Sequence, residues 1–203
     1  MQTLKGNVYY ICAIMIPNQV SVIILGNWNP RIFRPFWIKT QLFGLPPENE
    51  IQGLVNFDEL DFAFEHNGIT LFPKYNSLEI QIIEYSQEKG LIVGELVKKI
   101  LELLPQTPIK ALGVNIKYNF TNEISNIVLE QLRSVNLKIK NLEVNQLKYS
   151  SVKELYVVNM ICELSPSIIN INFNFHYPRI IEFTKEFIND HVSETKIIFE
   201  NGK

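Results

Sequence analysis

Alternation of apolar and polar residues is the feature of this sequence that most restricts its possible folds. In residues 112–120, Leu, Val, Ile, Tyr and Phe alternate with Gly, Asn and Lys, and residues 170–177 alternate in the same way. A strict period of two is typical of a β-strand that buries one face. Residues 60–64 repeat the pattern, and Asn67-Gly68 before the apolar residues 69–72 predicts a tight hairpin. The sequence therefore predicts antiparallel strands joined in hairpins.

Two segments have the apolar period of a helix instead. Apolar residues recur near every 3.6 positions between residues 91 and 104, where Pro105 ends the pattern, and a second helix is expected to start at Pro178. A short helix is expected over about residues 121–132, a short strand over residues 36–43, and an edge strand over residues 197–203. The predicted fold class is α+β, a predominantly antiparallel sheet built from hairpins with about three helices packed on it.

Length and composition predict one domain with one core. The chain has 203 residues, of which 46% are hydrophobic and 20% charged, as in ordinary globular proteins. We expect a single α+β domain over residues 1–203. A division near residue 88, into an N-terminal β-rich half and a C-terminal α-β-α-β-β-β-α half, is the alternative, although no linker composition marks it. The sequence shows no internal repeat.

Charge and cysteine content restrict the partners and the compartment. The net charge of −2 argues against nucleic acid as a partner, and no apolar run approaches the length of a membrane span. Cys12 and Cys162 each lie in an apolar run, which favours buried thiols in a reducing cytoplasm over a disulfide framework. No cofactor motif is present, and no histidine has a partner at metal-ligand spacing, so neither a cofactor nor a metal is expected.

An aromatic and basic segment is the first candidate binding site. The first 47 residues contain four bases and no acid, whereas residues 48–66 contain six acids and no base. Stacking and phosphate pairing, or a protein interaction, would suit this mixture. The alternatives are that the aromatic residues anchor a loop to the core, or that the basic and acidic segments meet across a symmetric dimer. The candidate residues of this basic segment are Trp28, Arg31, Arg34, Trp37 and Lys39.

An amide-rich strand is the second candidate. Alternation puts Asn170, Asn172, Asn174 and His176 on one face, and the strand containing residues 115, 117 and 119 has a similar polar row. If the two strands are neighbours, their amides could bind a sugar, a base or a peptide through several hydrogen bonds. Ordinary polar residues on a solvated sheet face are the alternative.

A third, weaker candidate is an acidic site made of Asp58, Asp61, Glu65 and His66. Carboxylates can hold Mg²⁺ or transfer protons, so these residues would suit a metal-dependent enzyme that acts on a phosphate-containing or nucleic-acid substrate. Solubilising charge on an exposed hairpin is the simpler interpretation.

These observations favour a non-catalytic binding or protein-interaction protein that uses residues 28–39. The expected partner is a second copy of the chain or another protein, with a small ligand as a further option, and the expected location is the cytoplasm. The enzyme is the alternative hypothesis.

Overall fold

The computed structural model describes residues 15–56, 61–121, 146–165, 168–179 and 181–201. Within these ranges the chain forms one antiparallel sheet of nine strands. The strands are β1 (Gln19–Gly26), β2 (Gln52–Asn56), β3 (Asp61–His66), β4 (Ile69–Pro73), β5 (Ser77–Ile83), β6 (Ile109–Thr121), β7 (Gln146–Val152), β8 (Val157–Leu164) and β9 (Ile168–Tyr177).

The helical elements are a 3₁₀ turn (Pro30–Ile32), α1 (Pro35–Trp37), a π-helical turn that continues α1 (Ile38–Leu42), α2 (Gln87–Leu103) and α3 (Phe187–Asn201). Ser86 caps α2 because its hydroxyl accepts a hydrogen bond from the backbone N–H of Lys89. One sheet with three helices confirms the predicted α+β class. The hairpin at Asn67-Gly68 is also confirmed: it joins β3 to β4, and both residues have the positive φ that a type I′ turn requires.

Apolar side chains on one face of the sheet, the inner face, form the core. Alternation on β6 and β9 directs Val114 and Phe175 into this core, where both are fully buried. Val93 and Val97 of α2 and Ile188 of α3 cover the same face. The helices of the described ranges therefore lie on one side of the sheet, and we call the other side the open face.

Two similar arrangements of strands meet at the centre of the sheet, whose order is β2-β3-β4-β5-β1-β6-β9-β8-β7. In the first, β1 pairs with β5, the last strand of a meander, and α2 follows; in the second, β6 pairs with β9, again the last strand of a meander, and α3 follows. The described strands thus repeat one arrangement, although the first meander has four strands, β2 to β5, and the second has three, β7 to β9. The single-domain assignment and the division near residue 88 stay predictions, and that division would separate β1–β5 from β6–β9.

Three local predictions were wrong. Residues 36–43 form helical turns instead of a strand, because Pro35 suits the first position of a helix and Ile38 and Leu42, four residues apart, are both buried. The last helix starts at Phe187, nine residues after Pro178, although the expected apolar residues Phe183, Phe187 and Ile188 are buried. Residues 197–201 continue that helix and do not form an edge strand. The predicted helix over residues 121–132 lies almost entirely outside the described residues.

Two glycines allow α2 to approach the start of α3. A Cβ at Gly94 would overlap the backbone oxygen of Lys185, and a Cβ at Gly90 would overlap the side chain of Asn189. Both glycines are buried in α2. Their spacing of four residues places them on the same helix face, so the pair serves close packing.

Candidate binding surface on the open sheet face

A row of polar residues crosses the open face from one edge of the sheet to the other. Each strand contributes one residue, and each residue lies directly opposite its neighbours in the strand register. Directly opposite residues share a face, so these side chains form one continuous line. In strand order the row contains Gln52, Glu65, Thr70, Gln81, Ser21, Asn115, Asn174, Asn159 and Ser150. We call this line the polar row.

Hydrogen bonds fix the orientation of the central side chains. Nδ2 of Asn174 donates to Oδ1 of Asn115 at 2.7 Å, and Nδ2 of Asn115 lies 3.4 Å from the Ser21 hydroxyl. Farther along, the Ser150 hydroxyl donates to Oδ1 of Asn159 at 2.7 Å. The central amides are therefore held in defined rotamers, with their donors and acceptors pointing in known directions.

The chain of hydrogen bonds is interrupted between Asn159 and Asn174, which are direct neighbours on β8 and β9. Because the Asn159 oxygen accepts from Ser150 and the Asn174 nitrogen donates to Asn115, the groups left over are an N–H donor on Asn159 and an oxygen acceptor on Asn174. Neither group has a protein hydrogen-bond partner within the described ranges. The two side chains are partly buried and present a donor beside an acceptor.

A polar pair, Lys117 and Asn172, lies beside the row, two residues away from Asn115 and Asn174 along β6 and β9. Lys117 lies opposite Asn172, and Asn172 lies opposite Ile161. Oδ1 of Asn172 is buried and has no hydrogen-bond partner among the described residues. Buried polar atoms are nearly always hydrogen-bonded, so an acceptor left unpaired calls for a partner.

The amide strand of the sequence analysis thus lies where several amides can act together. The open face of β9 carries the four predicted residues, Asn170, Asn172, Asn174 and His176. The strand β6 is a direct neighbour of β9. The two polar rows therefore lie on neighbouring strands, as joint binding by their amides requires. Positions 115, 117 and 119 lie opposite positions 174, 172 and 170. Binding itself stays a prediction.

The two tryptophans of the segment 28–39 serve as anchors, whereas Phe36 in the same segment is 64% exposed. Trp28 is 4% exposed and its indole N–H donates to the backbone oxygen of Ile24 at 3.0 Å. Its ring contacts Phe33, which in turn meets Trp37 edge to face at 5.4 Å between centroids. Neither tryptophan offers a free stacking surface, because Trp28 is buried and Trp37 is partly buried against the core. These two side chains therefore fit the alternative interpretation, in which aromatic residues anchor a loop to the core.

The two arginines of that segment are accessible to solvent, unlike the two tryptophans. Arg31 and Arg34 are exposed, and within the part of the chain that the structure describes neither guanidinium has a hydrogen bond or an ion pair. The Lys39 ammonium donates to the backbone oxygen of Pro47 and so braces the loop. Of the predicted binding residues here, the two arginines remain available to a partner.

The acidic candidate residues do not converge. Oε1 of Glu65 accepts a hydrogen bond from the Gly68 N–H at 2.6 Å and closes the hairpin turn, whereas the His66 ring packs against Phe43. Asp61 is in β3, and Asp58 lies outside the described residues. No group of three His, Cys, Asp or Glu side chains able to hold a metal occurs in the described ranges.

Three tyrosine contacts that the sequence does not indicate attach α3 to the rest of the molecule. The Tyr177 hydroxyl lies 2.7 Å from Nε2 of His191, and the Tyr118 hydroxyl lies 2.6 Å from that of Thr195. Tyr156, just before β8, donates to the Glu194 carboxylate at 2.7 Å. The positions of His191, Glu194 and Thr195 could have indicated a polar group on α3. Nothing in the sequence, however, indicates which tyrosines contact that group.

His191 is a structural side chain in this arrangement. It is 5% exposed, and Nδ1 lies 2.7 Å from the Phe187 carbonyl oxygen. A carbonyl only accepts, so Nδ1 carries the proton and Nε2 of the neutral ring accepts from the Tyr177 hydroxyl. Burial lowers the pKa of His191, and burial raises the pKa of Tyr177. Both groups are therefore uncharged at neutral pH.

Comparison with known proteins does not assign the chain to a family. No family model matches it, and no curated protein is detectably similar in sequence. Within the described ranges, no helix is both long and apolar enough to cross a membrane.

Proposed function

We propose that this protein is a non-catalytic binding protein that holds an uncharged peptide segment against the open face of its sheet. The single observation that supports this function most is the donor and acceptor pair on Asn159 and Asn174, which two flanking hydrogen bonds orient. A residue in an extended peptide presents its own N–H and its own carbonyl on the same side, so it complements a neighbouring acceptor and donor.

The charges on the open face favour an uncharged ligand. Near Asn174 the cationic side chains of the described strands are Lys117 and Lys148, and the carboxylate of Glu163 lies on the same face. A polyanion such as nucleic acid is normally bound by a group of cations that neutralises several phosphates. Two separated lysines beside an acid do not make such a group.

The shortage of aromatic side chains favours a peptide over a sugar or a base. Phe72 on β4 is the one phenylalanine, tyrosine or tryptophan on the open face of the described strands, and it lies four strands away from Asn174. Nucleobases are commonly bound by stacking on aromatic rings, which this surface does not provide. The apolar neighbours are Ile161 and Val157, which suit the aliphatic side chains of a peptide.

This proposal moves the binding surface from residues 28–39 to the open face, because Trp28 is buried in the core. The cytoplasmic location belongs to the proposal and rests on the reading of Cys12 and Cys162 as reduced core thiols. Cys162 is buried as a free thiol, and Cys12 lies outside the described residues.

A peptide array tests the function. We would probe capped 15-residue peptides, half of them uncharged and rich in Asn, Gln, Ser, Thr, Val and Ile and half of them charged, and then measure the retained peptides by calorimetry. We expect the uncharged set to be retained. Replacing both Asn159 and Asn174 with Ala removes two hydrogen bonds and should weaken binding by about tenfold or more.

Asn49→Ala is the matched control, because Asn49 is exposed in a turn outside the sheet. It should bind as the unmodified protein does. Equal binding by the double variant, or retention of no peptide, would contradict the proposal. Binding on an array of neutral glycans in place of the peptides would overturn the peptide assignment.

A further inference from the structure

β2 forms one edge of the sheet and its outer side has no neighbouring strand among the described elements. Edge strands carry unpaired backbone N–H and carbonyl groups, and proteins usually protect them with charged residues, proline or a bulge. Residues Gln52–Asn56, with the sequence QGLVN, contain neither charge nor proline. The opposite edge, β7, contains Lys148. The β2 edge is therefore the less protected of the two.

Apolar side chains are exposed at the same edge. Leu54 and Val55 are 46% and 45% exposed, and Phe62, directly opposite Val55 on β3, is 58% exposed. Val55 and Phe62 share the inner face with buried Phe64, but both side chains remain largely exposed. A bare strand edge and an uncovered apolar pair thus coincide.

We propose that two copies of the chain pair through β2, antiparallel and about a two-fold axis at Leu54. A second copy is the partner that matches this edge, because a two-fold axis places the same uncharged strand opposite itself. Acids flank the strand on both sides, with Glu48 and Glu50 before it and Asp58 and Glu59 after it, so the pairing should tighten when salt screens their repulsion. This inference does not depend on the proposed peptide binding.

The two-fold register also accommodates the side chains. With Leu54 opposite Leu54 of the second copy, Val55 lies opposite Gly53 of the second copy. A Cβ on Gly53 would have no atom within 4 Å, so there is open space for this valine. Val55 and Phe62 of both copies then form one apolar cluster on the inner face, since diagonal neighbours on adjacent strands are within reach of large side chains.

Sedimentation equilibrium over a range of about 1 to 200 µM tests the pairing. We expect a concentration-dependent dimer of twice the chain mass. Val55→Lys should raise the dissociation constant by about tenfold or more, because it places two charges in the shared apolar cluster. Val152→Lys is the matched control on the opposite edge, where Val152 is 79% exposed, and it should dimerise as the unmodified protein does.

A cross-link tests the register even if the lysine variant folds poorly. In a Cys12→Ser background, Leu54→Cys should form a covalent dimer with a short bismaleimide, whereas Val152→Cys should not, and buried Cys162 should not react. A monomer at every concentration would overturn the proposal. So would a dimer that persists in Val55→Lys, a dimer that Val152→Lys disrupts equally, or a failure of Leu54→Cys to cross-link.

Discussion

Asn115 and Asn174 face each other across the β6–β9 pair, and the amide nitrogen of Asn174 donates to the amide oxygen of Asn115 at 2.7 Å. Asn115 uses its own nitrogen towards the Ser21 hydroxyl, which is only 5% exposed. The side chain of Asn115 therefore links three strands at the centre of the sheet, where the two strand arrangements meet.

Replacing Asn115 with Leu should lower the free energy of unfolding by about 1 to 3 kcal/mol, since Ser21 and Asn174 both lose a partner in a partly buried position. Urea denaturation checks the value. Asn119→Leu is the control on the same face of β6, because the Asn119 side chain is exposed. A similar loss in both variants would contradict the importance of the hydrogen bonds.

The packing of α2 against the start of α3 predicts an unusual response at Gly94. Alanine normally stabilises a helix interior by about 1 kcal/mol relative to glycine. A methyl group at Gly94 would instead overlap the backbone of Lys185, so Gly94→Ala should destabilise the protein by about 1 to 3 kcal/mol. Thermal unfolding measures the change. Gly113→Ala should be tolerated sterically, because its Cβ would meet its neighbours at 3.7 Å or more.

Buried His191 predicts that stability falls in mild acid. Burial lowers the pKa of His191, while the hydrogen bond to Phe187 and the charges of Glu194 and Asp190 act in the opposite direction. Below about pH 6.5 the unfolded chain binds a proton that the folded chain does not, so the free energy of unfolding falls by up to about 1.4 kcal/mol per pH unit.

Urea denaturation between pH 5 and 8 measures this slope. His191→Gln should flatten it, because the variant removes the buried imidazole. An unaltered slope in His191→Gln would show that other groups cause the acid sensitivity.

The arginines of the segment 28–39 distinguish the two binding surfaces. Exchanging Arg31 and Arg34 for Ala should change the free energy of unfolding by less than about 0.5 kcal/mol each, because both side chains are exposed. If the open face binds the peptide, calorimetry should show unchanged affinity in this variant. Loss of binding would return the site to residues 28–39, the first candidate from the sequence.

Trp28→Ala should behave differently from the arginine variants. The side chain is buried and its indole N–H is hydrogen-bonded to Ile24, so truncation should cost about 3 to 5 kcal/mol. Guanidinium denaturation measures the loss, and Trp28→Phe, which retains most of the buried area, should lose less. A stability loss near zero would contradict the anchoring role.

Local patterns were sufficient to predict the elements that depend on neighbouring residues. Alternation on β6 and β9 placed Val114 and Phe175 inside and the asparagines outside, and Asn67-Gly68 predicted the turn that joins β3 to β4. These features follow from the period of a strand and from allowed backbone angles, so they can be read from consecutive residues. The α+β class follows from the same signals.

Contacts between distant residues required the tertiary structure. The sequence showed amides on β9 but not that Asn115, 59 positions earlier than Asn174, would be their partner. Composition could not separate Trp28, which is buried, from Arg31, which is exposed, because both belong to the same mixed segment.

By itself, then, the sequence determined the fold class and the two faces of each central strand, because the side-chain period is a local property. Strand order, the repeat that relates β1 to β6, and the attachment of α3 through Tyr177 and His191 were decided only in three dimensions. Those features depend on which apolar faces pack together, and many pairings satisfy the same local pattern.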